Sequence, residues 1–364
     1  MGISAWSVAA CGLGVGVAVG YSVRRAHLCS FGAIESALVG GDWRRMKIFG
    51  LALGLAILLT QTLVLFGYFD AATTSYIPTK IAIVSAALGS VMFGFGMALV
   101  GTCSFGSLVR FGGGDLRSLI VLLTFAGCAV MTLRGAFSTI RLEFFETLAF
   151  EMPGQVAGSF VEGLNRVLPF NVRGWLAGLV PLVLFAFVAF DRRLRRAPRL
   201  LTSGIVLGLG VAAGWLFTGV LADAFDTGIR VQSLTFVAPV ARGFIAAIFG
   251  TREWVDFGVT CVVGVVLGAF LAAKQADNFR WEAFDDHHEM GRHLVGAALM
   301  GVGGVLAGGC TIGQGITAGS LLAVSWPVTV LGMVLGARLG LALLVDGSLR
   351  DLVMSAFRRG PGPN

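Results

Sequence analysis

Charge is scarce in this sequence: of 364 residues only 13% are Asp, Glu, Lys or Arg, while 56% are hydrophobic. A water-soluble domain of this length needs a far more polar surface, so soluble globular classes are excluded. Histidine is rarer still, with four, and the six cysteines contain no C-x-x-C pair and no metal-ligand spacing. A metal centre is therefore not expected, and no cofactor and no catalytic residue are assigned. No G-x-x-x-x-G-K-[ST] loop occurs, which argues against ATP hydrolysis within this chain. The 53 glycines show no period of three and the chain is not polar, so collagen-like and disordered readings fail. The N-terminus lacks a basic leader, since Arg24 and Arg25 follow the first apolar run; Val8-Ala-Ala-Cys11 is not read as a lipoprotein cleavage box.

What is present is long apolar runs, at a mean hydropathy of +0.85. Runs of 18 or more apolar residues match the length needed to cross a hydrocarbon core of about 30 Å. The expected fold is an all-α polytopic membrane protein with about nine spans, at 3–22, 46–68, 80–101, 117–133, 175–190, 201–221, 254–273, 293–308 and 326–345. Segments 105–111 and 314–322 are too short to cross and read as half-helices or re-entrant pieces, and 137–171 suits a helix lying at the interface. Spans 1–4 match spans 6–9, with span 5 left over, so the second half enters from the other side. The division is one transport domain over 1–364: a first half-repeat (1–140), an interfacial segment and linker helix (141–200), and an inverted second half-repeat (201–350).

The net charge of +7 lies in short clusters beside the spans, which is a topology signal and not a nucleic-acid footprint. Arg24, Arg25, Arg44, Arg45, Arg110, the Arg192 to Arg199 cluster, Lys274, Arg280, Arg358 and Arg359 fall on one side. The positive-inside rule then puts the N-terminus outside and the C-terminus in the cytoplasm of a bacterial inner membrane. Arg230, Arg242 and Arg252 are candidates for an anion-attracting rim on the outer side.

The chemistry concentrates in two matching segments. Gly101-Thr-Cys103-Ser104-Phe-Gly106 is repeated as Gly308-Gly309-Cys310-Thr311-Ile-Gly313, and the upstream pairs Gly94, Gly96 and Gly301, Gly303 keep step. Six positions agree across 13 residues, five by identity and the sixth as Ser104 against Thr311, each copy closing a span. A shorter echo, Cys29-Ser-Phe-Gly32, lies near the N-terminus, with His27 close enough in sequence to tune its thiol. Broken backbone at membrane depth survives where it faces protein or a wet cavity. Each thiol precedes a short helix whose unpaired N–H groups and positive dipole end attract anions. A thiol is a soft, weak donor, and a file of weak contacts binds loosely enough to let an ion move on. Cys11, Cys128 and Cys261 sit inside spans as small apolar residues. His287 and His288 belong to a solvated loop. Tight helix packing alone would also use Gly-x-Cys-[Ser/Thr]. A membrane sulfurtransferase or thiol oxidoreductase using the thiols covalently, and a scaffold role, stay open at this point; the missing resolving cysteine weighs against redox exchange.

Together with Ser233-Leu-Thr235-Phe-Val-Ala-Pro239, these motifs resemble the YeeE/YedE family of bacterial inner-membrane proteins, which is associated with thiosulfate uptake, and the resemblance covers nearly the whole chain. It implies an hourglass in which Cys310 (outer), Cys103 (middle) and Cys29 (inner) mark a thiosulfate route through S–H···S contacts. It also implies a TusA-like cytoplasmic sulfurtransferase as recipient, and some relatives are linked to selenium compounds instead. In the second half Thr235 stands where Cys29 stands in the first, which breaks the symmetry at the thiol.

Overall fold

A computed structural model of the chain describes residues 4–78, 80–145, 150–151, 159–161, 172–222, 229–284 and 286–346. The apolar runs become helices: α1 (Ala5–Ala26), α2 (Ser30–Leu38), α3 (Arg44–Leu65), α4 (Ile83–Val100), α5 (Ser104–Gly112) and α6 (Leu116–Leu133). They continue with α7 (Val172–Ala189), α8 (Pro198–Trp215), α9 (Ala238–Phe249), α10 (Phe257–Gln275), α11 (His287–Leu306), α12 (residues 311–320) and α13 (Ser325–Asp346). The few polar residues are placed where a helix must start. Side chains of Ser4, Asp115, Asp256 and Asp286 accept backbone N–H groups in the first turns of α1, α6, α10 and α11, as orphan donors require. Pro198 and Pro239 open α8 and α9, where a missing N–H does no harm.

The chain is a polytopic helical membrane protein. Among the described residues seven helical stretches are long and apolar enough to cross a bilayer: Ala5–Leu38, Arg44–Leu65, Ile83–Gly112, Leu116–Leu133, Pro198–Val220, Phe257–Gln275 and Ser325–Val345. The other two expected spans also fall on helices. In α7 the apolar stretch is the shorter Arg173–Ala189, interrupted by Pro181. In α11 the first turns carry Glu289, Arg292 and three histidines. The stretch 137–171 lies largely outside the described residues; the parts described are the short helix Ala136–Ile140, a π-helical turn Arg141–Phe145, the pair Phe150–Glu151 and residues 159–161. Phe150–Glu151 pairs antiparallel with Lys80–Ile81.

Packing partners are reciprocal. α1 lies on α10 as α8 lies on α3; α4 lies on α13 as α11 lies on α6; α5 meets α10 as α12 meets α3; α9 meets α6 as α2 meets α13. Between these pairs α4 crosses α11 and α1 crosses α8. The α4–α11 crossing is close because it is built on glycine: a Cβ on Gly96 would lie 2.5 Å from the Gly296 carbonyl oxygen, and one on Gly303 would lie 2.6 Å from that of Gly89. Small residues at such crossings let helices associate in lipid, where the hydrophobic effect offers no drive.

Connections gather at two ends. At one, the Arg117 guanidinium donates to Glu282 at 2.6 Å, and the Leu116 N–H meets the Glu282 carbonyl at 2.8 Å. At the other, Phe69 and Tyr76 pack on Trp215 at ring distances of 5.3 and 6.3 Å.

Candidate functional site

The site is built at helix breaks. α4 ends with Gly101 at φ 75°, and α11 is closed by Gly308 at φ 73°. This left-handed region is open to glycine and strained for other residues, so the matched glycines set matched turns. Each turn delivers a thiol to the start of a short helix. Cys103 Sγ accepts the Gly106 N–H and Cys310 Sγ accepts the Gly313 N–H, both at 3.3 Å. Each sulfur thereby occupies one of the orphan donors at its own helix start. Both residues are completely buried.

The two starts meet crosswise. Ser30, the first residue of α2, donates its hydroxyl to Cys103 Sγ at 2.9 Å, and its Oγ lies 2.9 Å from Thr311 Oγ1. In return the Ser104 hydroxyl lies near the Cys310 thiol. It is buried and meets no acceptor at hydrogen-bonding geometry among the described residues. Thus Cys103 faces the hydroxyl that follows Cys310, and Cys310 faces the hydroxyl that follows Cys103. Cys29 is placed differently: it is only partly buried, and its Sγ lies 3.6 Å from Thr102 Oγ1. A guanidinium stands near it, since Arg45 Nη1 is 3.1 Å from the position a Cβ on Gly32 would take.

Toward the other end, a Cβ on Gly313 would lie 2.5 Å from Thr235 Oγ1 and 3.1 Å from the Tyr76 hydroxyl. Gly106 plays the equivalent part: a side chain there would strike Thr102 Oγ1 and come within 3.4 Å of Cys29 Sγ. The result is one seam of neutral polar groups, from Tyr76 and Thr235 past Cys310 and Ser104, through Thr311, Ser30 and Cys103, to Cys29 and Thr102. Such groups offer S–H, O–H and backbone N–H donors without a fixed charge, which suits transient coordination of an anion.

Most of the sequence-derived site residues lie on this seam or shape its turns. Ser233 spends its hydroxyl on the Val211 carbonyl of α8, at 2.6 Å. Gly309 packs against Gln314. His27 is exposed in a hollow with Arg24, Arg25 and Arg199. Arg242, expected on an outer rim, is instead buried against Asp256 at 2.9 Å and donates to Gln232; the carboxylate and amide within reach draw it inward. Cys261 packs on Gly16 of α1 and Cys128 on Gly301 of α11, as small packing residues. Two residues central to the geometry carried little signal. Thr102 is a plain neighbour of a cysteine, and Tyr76 lies in a polar stretch with no motif.

A polytopic helical protein whose interior holds two facing, thiol-bearing broken helices belongs with membrane transport architectures. The particular group follows from comparison: the pattern of the family described as sulphur transport matches residues 25–339, and the chain belongs to that family. Two relatives carry the name thiosulfate transporter TsuA. The one from Escherichia coli (strain K12) is 25% identical over 338 residues, covering 89% of this chain and 91% of the relative. The one from Spirochaeta thermophila is 26% identical over 332 residues, covering 89% and 96%.

Proposed function

We propose that this protein takes up thiosulfate, or a closely related sulfur anion, across the bacterial inner membrane without chemical conversion. The route runs from Cys310 past Cys103 to Cys29. The observation that carries this reading is the crossed meeting of the two helix starts, with Ser30 Oγ 2.9 Å from both Cys103 Sγ and Thr311 Oγ1. Two helix N-termini brought face to face favour an anion over a cation. Thiols make the lining soft enough for a terminal sulfur, and the names of both relatives agree with that substrate. The two half-repeats are inverted, which the reciprocal packing supports, and the N-terminus faces the periplasm. A TusA-like sulfurtransferase receives the anion at the cytoplasmic mouth beside Cys29.

The test is uptake of labelled thiosulfate in a strain without other sulfur importers, with a TusA-like protein supplied. Wild-type protein should restore uptake, and Cys29→Ala, Cys103→Ala and Cys310→Ala should each abolish it at unchanged protein level. Full uptake by all three variants would overturn the thiol route. Failure of the wild type would direct attention to selenium compounds.

A further inference from the structure

A cleft of about 500 Å³ opens between α2, α3, α7, α12 and α13. Its walls are apolar, with Phe49 and Leu53 from α3, Leu184 from α7, and Val330 and Val334 from α13. It also touches Ser30 and Thr311, the hydroxyl pair beside Cys103. The cleft therefore approaches the centre of the seam from the side. Trp43 and Phe187 border it and are 55% and 61% exposed. Lys47 and Phe187 also border an adjoining hollow shared with Phe190, Asp191, Arg192 and Arg193. Asp191 neutralises Lys47 at 2.7 Å, so among the described residues the exposed Arg192 and Arg193 are the hollow's cations without a carboxylate partner. They begin a run continued by Arg195, Arg196 and Arg199.

An apolar slot leading from a basic, tryptophan-flanked edge has the chemistry of one amphiphile. Its tail occupies the slot, and its negative headgroup meets the arginines. Basic clusters just beyond a span select anionic lipids, and tryptophan marks the headgroup level. Water in so apolar a slot is unfavourable, whereas an acyl chain is at home there.

We propose that this cleft is a binding site for an anionic phospholipid. One acyl chain lies in the cleft and reaches the Ser30–Thr311 pair, and the phosphate sits against Arg192 and Arg193. The chain seals the seam laterally, so that a charged solute cannot escape between α3 and α13. The binding site stands on the cleft and the arginines alone; the sealing role rests on the transport reading above.

The test is native mass spectrometry of phospholipid retained by the full-length protein, purified in mild detergent from membranes containing phosphatidylglycerol and phosphatidylethanolamine. Gly50→Phe fills the cleft without a backbone collision, since a Cβ there meets nothing nearer than Leu184 Cδ2 at 3.6 Å. Wild type should retain phosphatidylglycerol at close to one molecule per chain, and Gly50→Phe should lose it. The exposed double variant Arg192→Gln, Arg193→Gln should keep a lipid while its preference for phosphatidylglycerol falls about fivefold per arginine. Equal retention by wild type and a folded Gly50→Phe would overturn the site, and so would an unchanged preference in the double variant. Cross-links between two copies through positions 43 and 187 would also overturn it, by giving the cleft to a dimer interface. No transport is read, so a failure of thiosulfate uptake leaves this result intact.

Discussion

Gly106 shows how closely single atoms are fitted around the thiols. Its missing side chain leaves room for Thr102 Oγ1 on one side and Cys29 Sγ on the other. Gly106→Ala should lower stability by about 1–3 kcal/mol through overpacking, and should displace Cys29 from the seam. The collision is with an oxygen, so Thr102→Ala should relieve it; Thr102 Cβ lies 3.5 Å away, an ordinary contact. Thermal unfolding and thiosulfate uptake of Gly106→Ala and of the double variant check this. A double variant no more stable than Gly106→Ala would show that the cavity beside Cys29 is not set by Thr102. The glycine itself was legible in the sequence because it recurs as Gly313 in the second motif. Thr102 and Tyr76 were not, because their roles arise from contacts between residues far apart in the chain, such as Thr102 with Cys29. Periodicity and spacing carry no trace of such a meeting.

Helices were read from the sequence in proportion to their length. All nine expected spans fall on helices, and seven of the described helical stretches have the length and apolarity for which a helix is the one stable form in lipid. The twelve-residue α9, after a stretch without an apolar run of spanning length, was missed although Pro239 marks its start. It is apolar, but at twelve residues it is too short to register as a span. At this scale the joint between α7 and α8 is open to test. Asp191 accepts the N–H groups of Arg193 and Leu194 and ties the joint to Lys47 of α3 at 2.7 Å. The hydrogen bond from Lys47 holds the Asp191 carboxyl below its ordinary pKa. A carboxylate with a lowered pKa binds fewer protons folded than unfolded, so its contribution is present above the ordinary aspartate range and fades as pH falls below about 4. Asp191→Asn should therefore unfold earlier than wild type at neutral pH, and the gap should narrow on acidification. Melting curves of both proteins from neutral pH to the lowest pH tolerated would decide it, and a gap that widens in acid would rule this pairing out.

For the molecule as a whole, access to the seam is unequal. Cys103 and Cys310 are completely buried while Cys29 is partly exposed, so the described conformation closes the seam at two thiols and leaves the third within reach. Arg45 stands near Cys29, and Arg110, on the short helix after Cys103, donates to the Gly101 carbonyl at 3.0 Å. Basic residues are retained on the cytoplasmic side, so the accessible thiol should face the cytoplasm. Cys11 and Cys128 are also partly exposed and need to be removed before labelling is informative. With both replaced by alanine, a membrane-impermeant maleimide should modify Cys29 in inside-out vesicles and leave it untouched in intact cells. Cys103 and Cys310 should stay unmodified from either side in the resting protein, read as single seam thiols against variants lacking the other two. Labelling of Cys29 from outside intact cells would reverse the orientation. Rapid labelling of Cys310 at rest would mean that the closed seam, with Tyr76 and Thr235 packed around Gly313, is not the resting state.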